Sequence, residues 1–295
     1  MVLLEGLVVA HLGKGHAVET ESGIWLCQTL RKLDTVVVGD RVLLRPGGEE
    51  GQGRIEHILP RRSVLQRPGR SEQSRPVAAN LDTIYAVFAS EPECDFLLLD
   101  QYLVISENCN IRAELILNKV DLPASEAVRR ELELYCRLGY PLHRVSANLG
   151  LGLERLKSDM AGQVSMFAGQ SGVGKSSLTR ALAPAETVRV NSVSATTRHG
   201  RHTTTAATLY HLPSGGDLID SPGVAIFGLA GLSEGQLAWG YREFQPYIVQ
   251  CRFNDCRHGP DKDCAVRAAA ERGDIAASRY QRFLKLKEKL PSARP

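Results

Sequence analysis

The sequence has no apolar run that could cross a membrane and only a small excess of positive charge. Apolar stretches such as 96–99 and 115–117 are far shorter than the ~20 residues of a transmembrane helix. The first residues show no basic segment ahead of an apolar one, so we expect no signal peptide and a cytoplasmic protein without a membrane partner. A net charge of +3 is too small to establish nucleic-acid binding by itself.

Cysteine is scarce and odd in number, which excludes a dense disulfide framework. The chain has seven cysteines in 295 residues. Four of them, Cys27, Cys94, Cys109 and Cys136, are scattered among apolar or helical segments, and we predict that they are buried free thiols in a reducing compartment. The other three lie within 251–264 and need a separate explanation.

The length and composition predict a folded protein of two or three domains. Hydrophobic residues make up 43% of the chain and charged residues 23%, an ordinary globular mixture. Changes in pattern divide the chain into a first domain over 1–60, a connector over 61–80, a central domain over 81–230 and a last domain over 231–295.

The first domain is predicted to be a small β-barrel. Five short strands separated by Gly, Asp and Ser are predicted at 7–10, 16–19, 24–30, 41–44 and 54–58. This number of strands favours an OB-type barrel, although an SH3-like barrel fits almost as well.

The connector is rich in arginine. It contains five arginines and only one acidic residue, Glu72, and the segment has two interpretations. It is either a solvated linker or a strip that contacts phosphates beside the barrel. The arginines are Arg61, Arg62, Arg67, Arg70 and Arg75.

The central domain alternates strands with helices, which predicts an α/β fold with a parallel sheet. Strands are expected at 83–89, 113–117, 142–146, 164–168, 207–211 and 217–219. Helices are expected at 96–108, 126–138, 151–160 and 175–182. The last domain is predicted to be helical and to end in a basic helix at 275–290.

One segment of the central domain matches the phosphate-binding motif G-x-x-x-x-G-K-[ST]. It lies between a predicted strand and helix, where glycines let backbone N–H groups surround phosphates and the helix N-terminus adds positive potential. Lys175 would neutralise the β- and γ-phosphates, and the Ser176 hydroxyl would coordinate Mg²⁺. The predicted phosphate-binding residues are Gly169, Gln170, Ser171, Gly172, Val173, Gly174, Lys175, Ser176 and Ser177.

Two further segments predict that the nucleotide base is guanine. The run Asn118, Lys119, Val120 and Asp121 matches N-K-x-D, in which the Asp121 carboxylate can accept hydrogen bonds from guanine N1–H and N2–H₂. Lys119 would cover the base with its stem, and Asn118 would brace the neighbouring loops. Ser146 and Ala147 resemble the short S-A element whose backbone approaches guanine O6, although this pair alone carries little information.

A third segment resembles the D-x-x-G element of GTPases. Asp220 would hold Mg²⁺ through water, and the N–H of Gly223 would sense the γ-phosphate. These motifs normally run from phosphate loop to D-x-x-G to N-K-x-D, whereas here N-K-x-D comes first. The order predicts a circularly permuted domain, because joining nearby termini preserves the strand neighbours.

The clustered cysteines have the spacing C-x₄-C-x-H-x₅-C. Three thiolates and one imidazole make up the closed tetrahedral ligand set of structural zinc, and we expect one Zn²⁺ per chain. The alternative is three buried cysteines beside an unrelated histidine. The predicted ligands are Cys251, Cys256, His258 and Cys264.

The motif order together with the zinc spacing closely resembles the circularly permuted GTPases of the RsgA (YjeQ) family, over essentially the whole chain. The resemblance implies an N-terminal OB barrel, a permuted GTPase domain and a zinc domain that act on the small ribosomal subunit late in its maturation. It also makes ribosomal RNA a partner for the connector, and we expect a monomer.

The resemblance also implies the catalytic residues. Thr204 in the segment G-R-H-T-T-T is the expected switch I ligand of Mg²⁺, although its neighbouring threonines remain alternatives. Val224 follows Gly223, where Ras-like GTPases place a water-orienting glutamine, and valine cannot hydrogen-bond water. His202 is therefore, in addition to Lys175, a candidate catalytic group, unless it is an ordinary polar loop residue.

The sequence thus predicts an Mg²⁺-dependent GTP hydrolase that couples GTP and GDP states to assembly of the small ribosomal subunit. One alternative is a GTP-gated RNA-binding chaperone in which hydrolysis serves only release. Another is a P-loop ATPase or small-molecule kinase with a zinc appendage, which Asp121 argues against.

Overall fold

The computed structural model describes residues 3–13, 15–48, 51–68, 74–183, 207–221, 229 and 231–290. Its first strands are β1 Leu4–His11, β2 His16–Thr20, β3 Gly23–Thr29, β4 Arg41–Pro46 and β5 Gln52–Ile58. They pair in the order β1-β2-β3-β5-β4, and β4 pairs back to β1 to close a barrel. The β3 and β5 strands are parallel, whereas the other pairs in the barrel are antiparallel.

The barrel is filled mainly by inward-facing residues of its strands, which alternate with outward-facing ones, and by Val36 of the connection between β3 and β4. Each of these side chains is at most 6% exposed, and together they form a core separate from the rest of the chain. This closed five-strand barrel is OB-like, as predicted. The core residues are Val8, Val18, Cys27, Val36, Val42, Leu44 and Ile55.

The connector contains a β-hairpin that the sequence did not predict. Strands β6 Val64–Pro68 and β7 Ser74–Ala79 pair antiparallel, and Ala78 also bridges to Val38 of the barrel. Gly39 has φ +90°, and a Cβ there would lie 2.2 Å from the Ala79 carbonyl oxygen. The hairpin therefore lies directly against the barrel backbone.

The Arg61 side chain has a structural partner. Its guanidinium donates to both carboxylate oxygens of Asp40, at 2.7 and 2.8 Å, and Asp40 is fully buried. Arg62 pairs with Asp82 at 2.7 Å. Neither interpretation of the connector, a solvated linker or a phosphate-contacting strip, describes Arg61, because its guanidinium is paired with a buried carboxylate.

The central sheet consists of β8 Thr83–Ala89, β9 Arg112–Asn118, β10 Leu142–Arg144, β11 Val164–Ala168, β12 Thr208–His211 and β13 Asp217–Asp220. Strands β10, β9, β8, β11 and β13 are parallel in that order, and β12 runs antiparallel beside β13. The β12 strand also pairs with β1 of the barrel, so that barrel and central domain share one eleven-stranded sheet.

Helices cover both faces of this sheet, as parallel strands require. They are α1 Phe96–Asn108, α2 Glu126–Arg137, α3 Leu153–Met160 and α4 Lys175–Leu182. All seven residues of β8 are buried, and they alternate between the two cores. Ile84, Ala86 and Phe88 belong to the core with α1 and α2, and the other side of β8 packs with α3 and α4.

The C-terminal helices are α5 Glu234–Trp239, α6 Gln245–Ile248, α7 Ala265–Arg272 and α8 Ala277–Glu288. Their apolar residues join the same core as α1, so this part packs directly on the central domain. Helix α8 corresponds to the predicted basic helix, but its Arg279 is fully buried. Within the described ranges, no helix is long and apolar enough to span a bilayer.

The prediction of four buried thiols is wrong for Cys136. Cys27 and Cys94 are buried and Cys109 is partly buried, but Cys136 is exposed on α2. That helix buries Val128, Leu132 and Tyr135, which lie on one face. Cys136 lies at the edge of that face and is exposed.

Candidate nucleotide site and metal centre

Four of the predicted motifs follow the carboxyl ends of parallel strands and therefore meet at one edge of the sheet. The N-K-x-D motif begins at the last residue of β9, the S-A element follows β10, the phosphate loop follows β11, and Asp220 ends β13. The connection order reverses between β8 and β11, since β9 and β10 extend to one side of β8 while β11 and β13 extend to the other. This switch point is where open α/β sheets bind ligands.

The backbone of the phosphate loop requires glycine at its first and sixth positions. A Cβ at Gly169 would lie 2.2 Å from the Val87 carbonyl oxygen of β8. Gly174 has φ +94°, and a Cβ there would lie 2.3 Å from Nδ2 of Asn118. The loop can therefore press against both neighbouring strands, and α4 begins directly after it at Lys175. This is the geometry of a phosphate site at a helix N-terminus.

Lys175 and Asp220 are the charged groups of two different motifs. The Lys175 ammonium donates to the carbonyl oxygens of Gly169 and Gln170, both at 2.7 Å. Burial lowers the pKa of Lys175, and the Asp220 charge opposes that shift. Burial likewise raises the pKa of Asp220, and the Lys175 charge opposes it. The two motifs therefore face each other across one partly desolvated space.

Asn118 joins three motifs through its side-chain amide. Its Nδ2 donates to the Val173 carbonyl oxygen at 2.9 Å, and its Oδ1 accepts from the Ala147 N–H at 3.1 Å. Asn118 is 2% exposed, so both bonds are shielded from water. The predicted bracing of the neighbouring loops by Asn118 is what the hydrogen bonds show.

The remaining residues of the N-K-x-D and S-A loops are also placed. Lys119 has φ +60°, and its ammonium donates to the Glu91 carbonyl oxygen at 2.8 Å. The Val120 N–H donates to Val145, which ties the loop to the next strand. Ser146 is buried, with its hydroxyl accepting from the Leu149 N–H at 3.3 Å, whereas Asp121 is exposed. An exposed carboxylate at this edge of the sheet is open to a ligand.

Other predicted site residues divide into placed and unplaced groups. Ser171 and Ser176 are exposed on the phosphate loop and the first turn of α4, and Ser177 is half-buried behind them. His202, Thr204, Gly223 and Val224 lie outside the described residues.

The segment 91–95 is a part of the site that the sequence motifs did not indicate. It follows the central strand β8 and contacts both the phosphate loop, through Gln170, and the N-K-x-D loop, through Lys119. Its position could have been inferred, because a loop at the carboxyl end of the central parallel strand must lie at the same edge as the motifs.

The three cysteines and the histidine come together as a candidate metal centre. Their donor atoms all lie within 4.8 Å of one another. The Nδ1 atom of His258 is 3.5 Å from the Cys251 sulfur and 3.7 Å from the Cys264 sulfur. A tetrahedral zinc ion with ordinary bond lengths separates sulfur and nitrogen ligands by about 3.6 Å. These residues therefore fit a zinc ion.

Helices α7 and α8 hold this cluster in place. The Cys264 sulfur caps α7 by accepting from the Arg267 N–H at 3.4 Å. From α8, the Tyr280 hydroxyl donates to the His258 carbonyl oxygen at 2.9 Å, and Lys287 donates to the Arg257 carbonyl oxygen at the same distance. Such outer contacts orient metal ligands.

Comparison with known proteins gives consistent matches. The family model described as RsgA GTPase matches residues 58–230. A protein of Hahella chejuensis named small ribosomal subunit biogenesis GTPase RsgA is 44% identical over 294 residues, which cover 97% of this chain and 84% of that protein. A protein of the same name from Haemophilus influenzae strain Rd is 43% identical, with 97% of this chain and 85% of that protein covered.

Two solved structures are similar over nearly the whole chain. The crystal structure of YjeQ from Thermotoga maritima has 33% identity and a TM-score of 0.78, and the match covers 99% of this chain and 100% of that one. The structure of YloQ, described as a circularly permuted GTPase, has 26% identity and a TM-score of 0.73, with 97% and 95% covered.

Proposed function

The chain belongs to the RsgA GTPase family, and from this premise we propose that it couples GTP hydrolysis at the four-loop site to late maturation of the small ribosomal subunit. The observation that carries the proposal is the pair of Asn118 hydrogen bonds, which join the phosphate loop, the N-K-x-D loop and the S-A element into one site. Membership of a GTPase family also argues against the alternative of a P-loop ATPase or small-molecule kinase.

The proposed guanine nucleotide, GTP or GDP, lies across this edge of the sheet. The Asp121 carboxylate accepts from guanine N1–H and N2–H₂, which adenine does not offer in that arrangement. The backbone of Gly169–Gly174, the N-terminus of α4 and the Lys175 ammonium hold the phosphates. Mg²⁺ supplies charge neutralisation at the phosphates when bound, and Ser176, Thr204 and, through water, Asp220 are its proposed ligands.

His202 is the proposed catalytic group. Val224 offers no hydrogen bond to the attacking water, so another side chain must orient it. We assign this role to His202 on the family's G-R-H-T-T pattern, and Thr204 aligns the phosphate end of the site through Mg²⁺. Docking on the ribosomal subunit is the proposed trigger that lets His202 and Thr204 act on the bound nucleotide, as in other GTPase switches.

The C-terminal cluster is proposed to bind one structural Zn²⁺ through Cys251, Cys256, His258 and Cys264. The donor distances support this assignment. The metal holds the loop against α7 and α8, and it takes no part in hydrolysis.

Ribosomal RNA is the proposed contact of the hairpin β6–β7. Arg67 and Arg75 are both exposed and lie directly opposite each other across the two strands. Like charges in this position destabilise a strand pair unless an anion lies between them. Phosphate oxygens of RNA are such anions, and we propose that the protein binds the subunit as a monomer.

The experiment is GTP turnover with and without purified small subunits. Free protein is expected to turn over slowly, and subunits are expected to raise the rate by about 10³–10⁵, as when a missing catalytic group is supplied to a GTPase. His202→Ala should bind GTP and subunits normally but lose most of the stimulated rate. His199→Ala, three positions earlier in the sequence, is the matched control and should keep that rate.

Absence of stimulation would contradict the coupling to the subunit. Full stimulation in His202→Ala would place the catalytic group elsewhere. Normal subunit maturation by a hydrolysis-deficient His202→Ala protein would favour the alternative of a GTP-gated chaperone, which the relatives' names do not support.

A further inference from the structure

Gln170 makes two hydrogen bonds that phosphate binding does not require. Its Oε1 accepts from the Asp95 N–H at 2.9 Å, and its Nε2 donates to the Glu93 carbonyl oxygen at 2.8 Å. One side-chain amide thus pairs with the backbone of a segment 75 residues away in sequence. The side chain therefore fixes the phosphate loop to the segment 91–95.

The same segment reaches the site at two other points. The backbone carbonyl oxygen of Glu91 accepts from the Lys119 ammonium at 2.8 Å. Pro92 lies beside the phosphate loop, since a Cβ on Gly172 would be 3.5 Å from its Cδ. The segment 91–95 is consequently a shared support for the loops that are proposed to hold the phosphates and the base.

The segment leads directly into α1, and α1 in turn is bound to the C-terminal helix α8. Asp95 caps α1 by accepting from the Leu98 N–H at 3.0 Å. Asp100 of α1 is fully buried and accepts from Arg279 and from Arg282, the latter at 2.6 Å. The Arg282 guanidinium also lies 5.7 Å from the ring centre of Phe96, in the first turn of α1.

This contact is rigid for an electrostatic reason. Arg279 is fully buried and also donates to Glu243 at 2.6 Å, and Arg282 donates to Glu131 of α2 at 2.7 Å. Moving α8 away would leave the Asp100 carboxylate without the two arginines that neutralise it, which is strongly unfavourable for a buried charge. Helices α1 and α8 therefore move together. A shift of α8 then also shifts Asp95, the residue that caps α1 and whose N–H donates to Gln170.

We propose that Gln170 is a positioning residue through which α8, by way of α1, controls how long the phosphate loop retains guanine nucleotide. The inference rests on the proposed nucleotide site. Coupling of this kind is reciprocal, so bound nucleotide also restrains α8 and the zinc-binding loop that α8 supports.

The first test is the dissociation rate of a fluorescent GDP from the full chain. Gln170→Ala should raise this rate roughly tenfold, as expected when a pair of ordinary hydrogen bonds no longer contributes. Hydrogen exchange of the amides in 91–98 should rise in the same variant. The matched control is Gln163→Ala, because Gln163 flanks the other end of β11 and bonds Thr83 and Asp159 in the same two-bond manner.

The second test is a double-mutant cycle with Arg282→Ala. Alone, this variant should raise the GDP dissociation rate several-fold, and in the Gln170→Ala background it should add no further increase. Arg272→Ala, which removes a surface pair with Asp274, should change neither rate. Circular dichroism and thermal unfolding confirm that each variant is folded.

Equal effects of Arg282→Ala in both backgrounds would overturn the inference. An unchanged rate in Gln170→Ala, while Lys175→Ala loses nucleotide, would also overturn it but leave the proposed function standing. Wild-type protein that binds no guanine nucleotide would instead overturn the proposed function.

Discussion

The side-chain amide of Asn118 donates to the carbonyl oxygen of Val173 at 2.9 Å and so ties the N-K-x-D loop to the phosphate loop. Asn118→Ala would leave that carbonyl and the Ala147 N–H without their partner. We expect GTP binding to weaken by about 1–3 kcal/mol, or roughly 5- to 150-fold, since buried polar groups lose their bonds. Isothermal titration with GTP measures this change.

Asn80→Ala is the control for this prediction. Asn80 also donates one side-chain bond and accepts another, to Gly39 and Arg62, but it lies in the hairpin region. It should lose thermal stability without losing GTP affinity. Equal GTP affinity in Asn118→Ala and wild type would contradict the bracing role.

We expect guanine specificity to depend on Asp121. Asp121→Asn should weaken GTP binding by on the order of 2–5 kcal/mol. The carboxylate has one oxygen for each of the two guanine donors, N1–H and N2–H₂, and the amide keeps only one acceptor oxygen. The new amide can donate to the C2 carbonyl of xanthine, so the variant should bind XTP better than the wild type does. Competition of both nucleotides against a fluorescent GTP tests this exchange, and unchanged GTP affinity would show that the base is read elsewhere.

The C-terminal cluster should hold one zinc ion per chain. Binding at such sites contributes roughly 10–16 kcal/mol in peptides, so Cys256→Ser or chelation should unfold the loop around it. Metal analysis and limited proteolysis measure both effects. Cys136→Ser is the control, because that thiol is exposed on α2, and its zinc content and protease resistance should match the wild type.

Connector arginines should separate into structural and RNA-contacting groups. Arg61→Ala should reduce the free energy of unfolding by about 3–5 kcal/mol, because it leaves the buried Asp40 carboxylate without its cation. Arg41→Ala is the control, since its pair with Glu5 is exposed and worth about 0–1 kcal/mol. Chemical denaturation compares the two.

The exposed pair Arg67 and Arg75 should affect association instead. Replacing both with Gln should slightly raise the stability of the free protein, because it removes two like charges from opposite strand positions. It should also reduce the salt dependence of subunit binding by about one phosphate contact per arginine. A salt slope equal to that of wild type would remove the hairpin from the RNA contact.

His211 should make stability depend on pH. Its imidazole lies between Asp217 of β13 and Glu19 of the barrel, each at 2.6 Å, and the hydrogen bond to Asp217 is the main cause that raises its pKa to about 9. A raised pKa stabilises the fold fully below the unfolded value of about 6.5. This contribution is lost as pH rises from about 6.5 through 9.

The thermal unfolding midpoints of wild type and His211→Gln should therefore differ at pH 6.5 and converge above pH 9. His57→Gln is the control, because His57 is exposed on β5. A difference between wild type and His211→Gln that stays constant with pH would contradict a charged His211.

Much of the nucleotide site follows from sequence because its residues are local. Gly169, Gly174 and Lys175 lie within one short loop whose backbone geometry is specified by glycine, so the motif alone fixes its form. The strands of the barrel follow from alternation of apolar residues such as Val8 and Val42. Their closure and register do not, since these depend on long-range pairing.

The buried charge network could not be predicted, because it joins residues 179 positions apart. Arg279 stands in a segment with several cations and has the pattern of a solvated helix face. Only the packing of α8 on α1 shows that it neutralises Asp100. The role of Gln170 was hidden for the same reason, since the motif tolerates any residue at its position and its partners come from another loop.

The pairing of Asp100 with Arg279 also has a consequence for how the protein is made. Chains are synthesised from the N-terminus, so α1 leaves the ribosome long before α8 exists. Until α8 arrives, Asp100 has neither of its arginines and must stay in contact with water, which keeps α1 from settling on the central sheet. We therefore expect the nucleotide domain to complete its folding only after translation has reached α8.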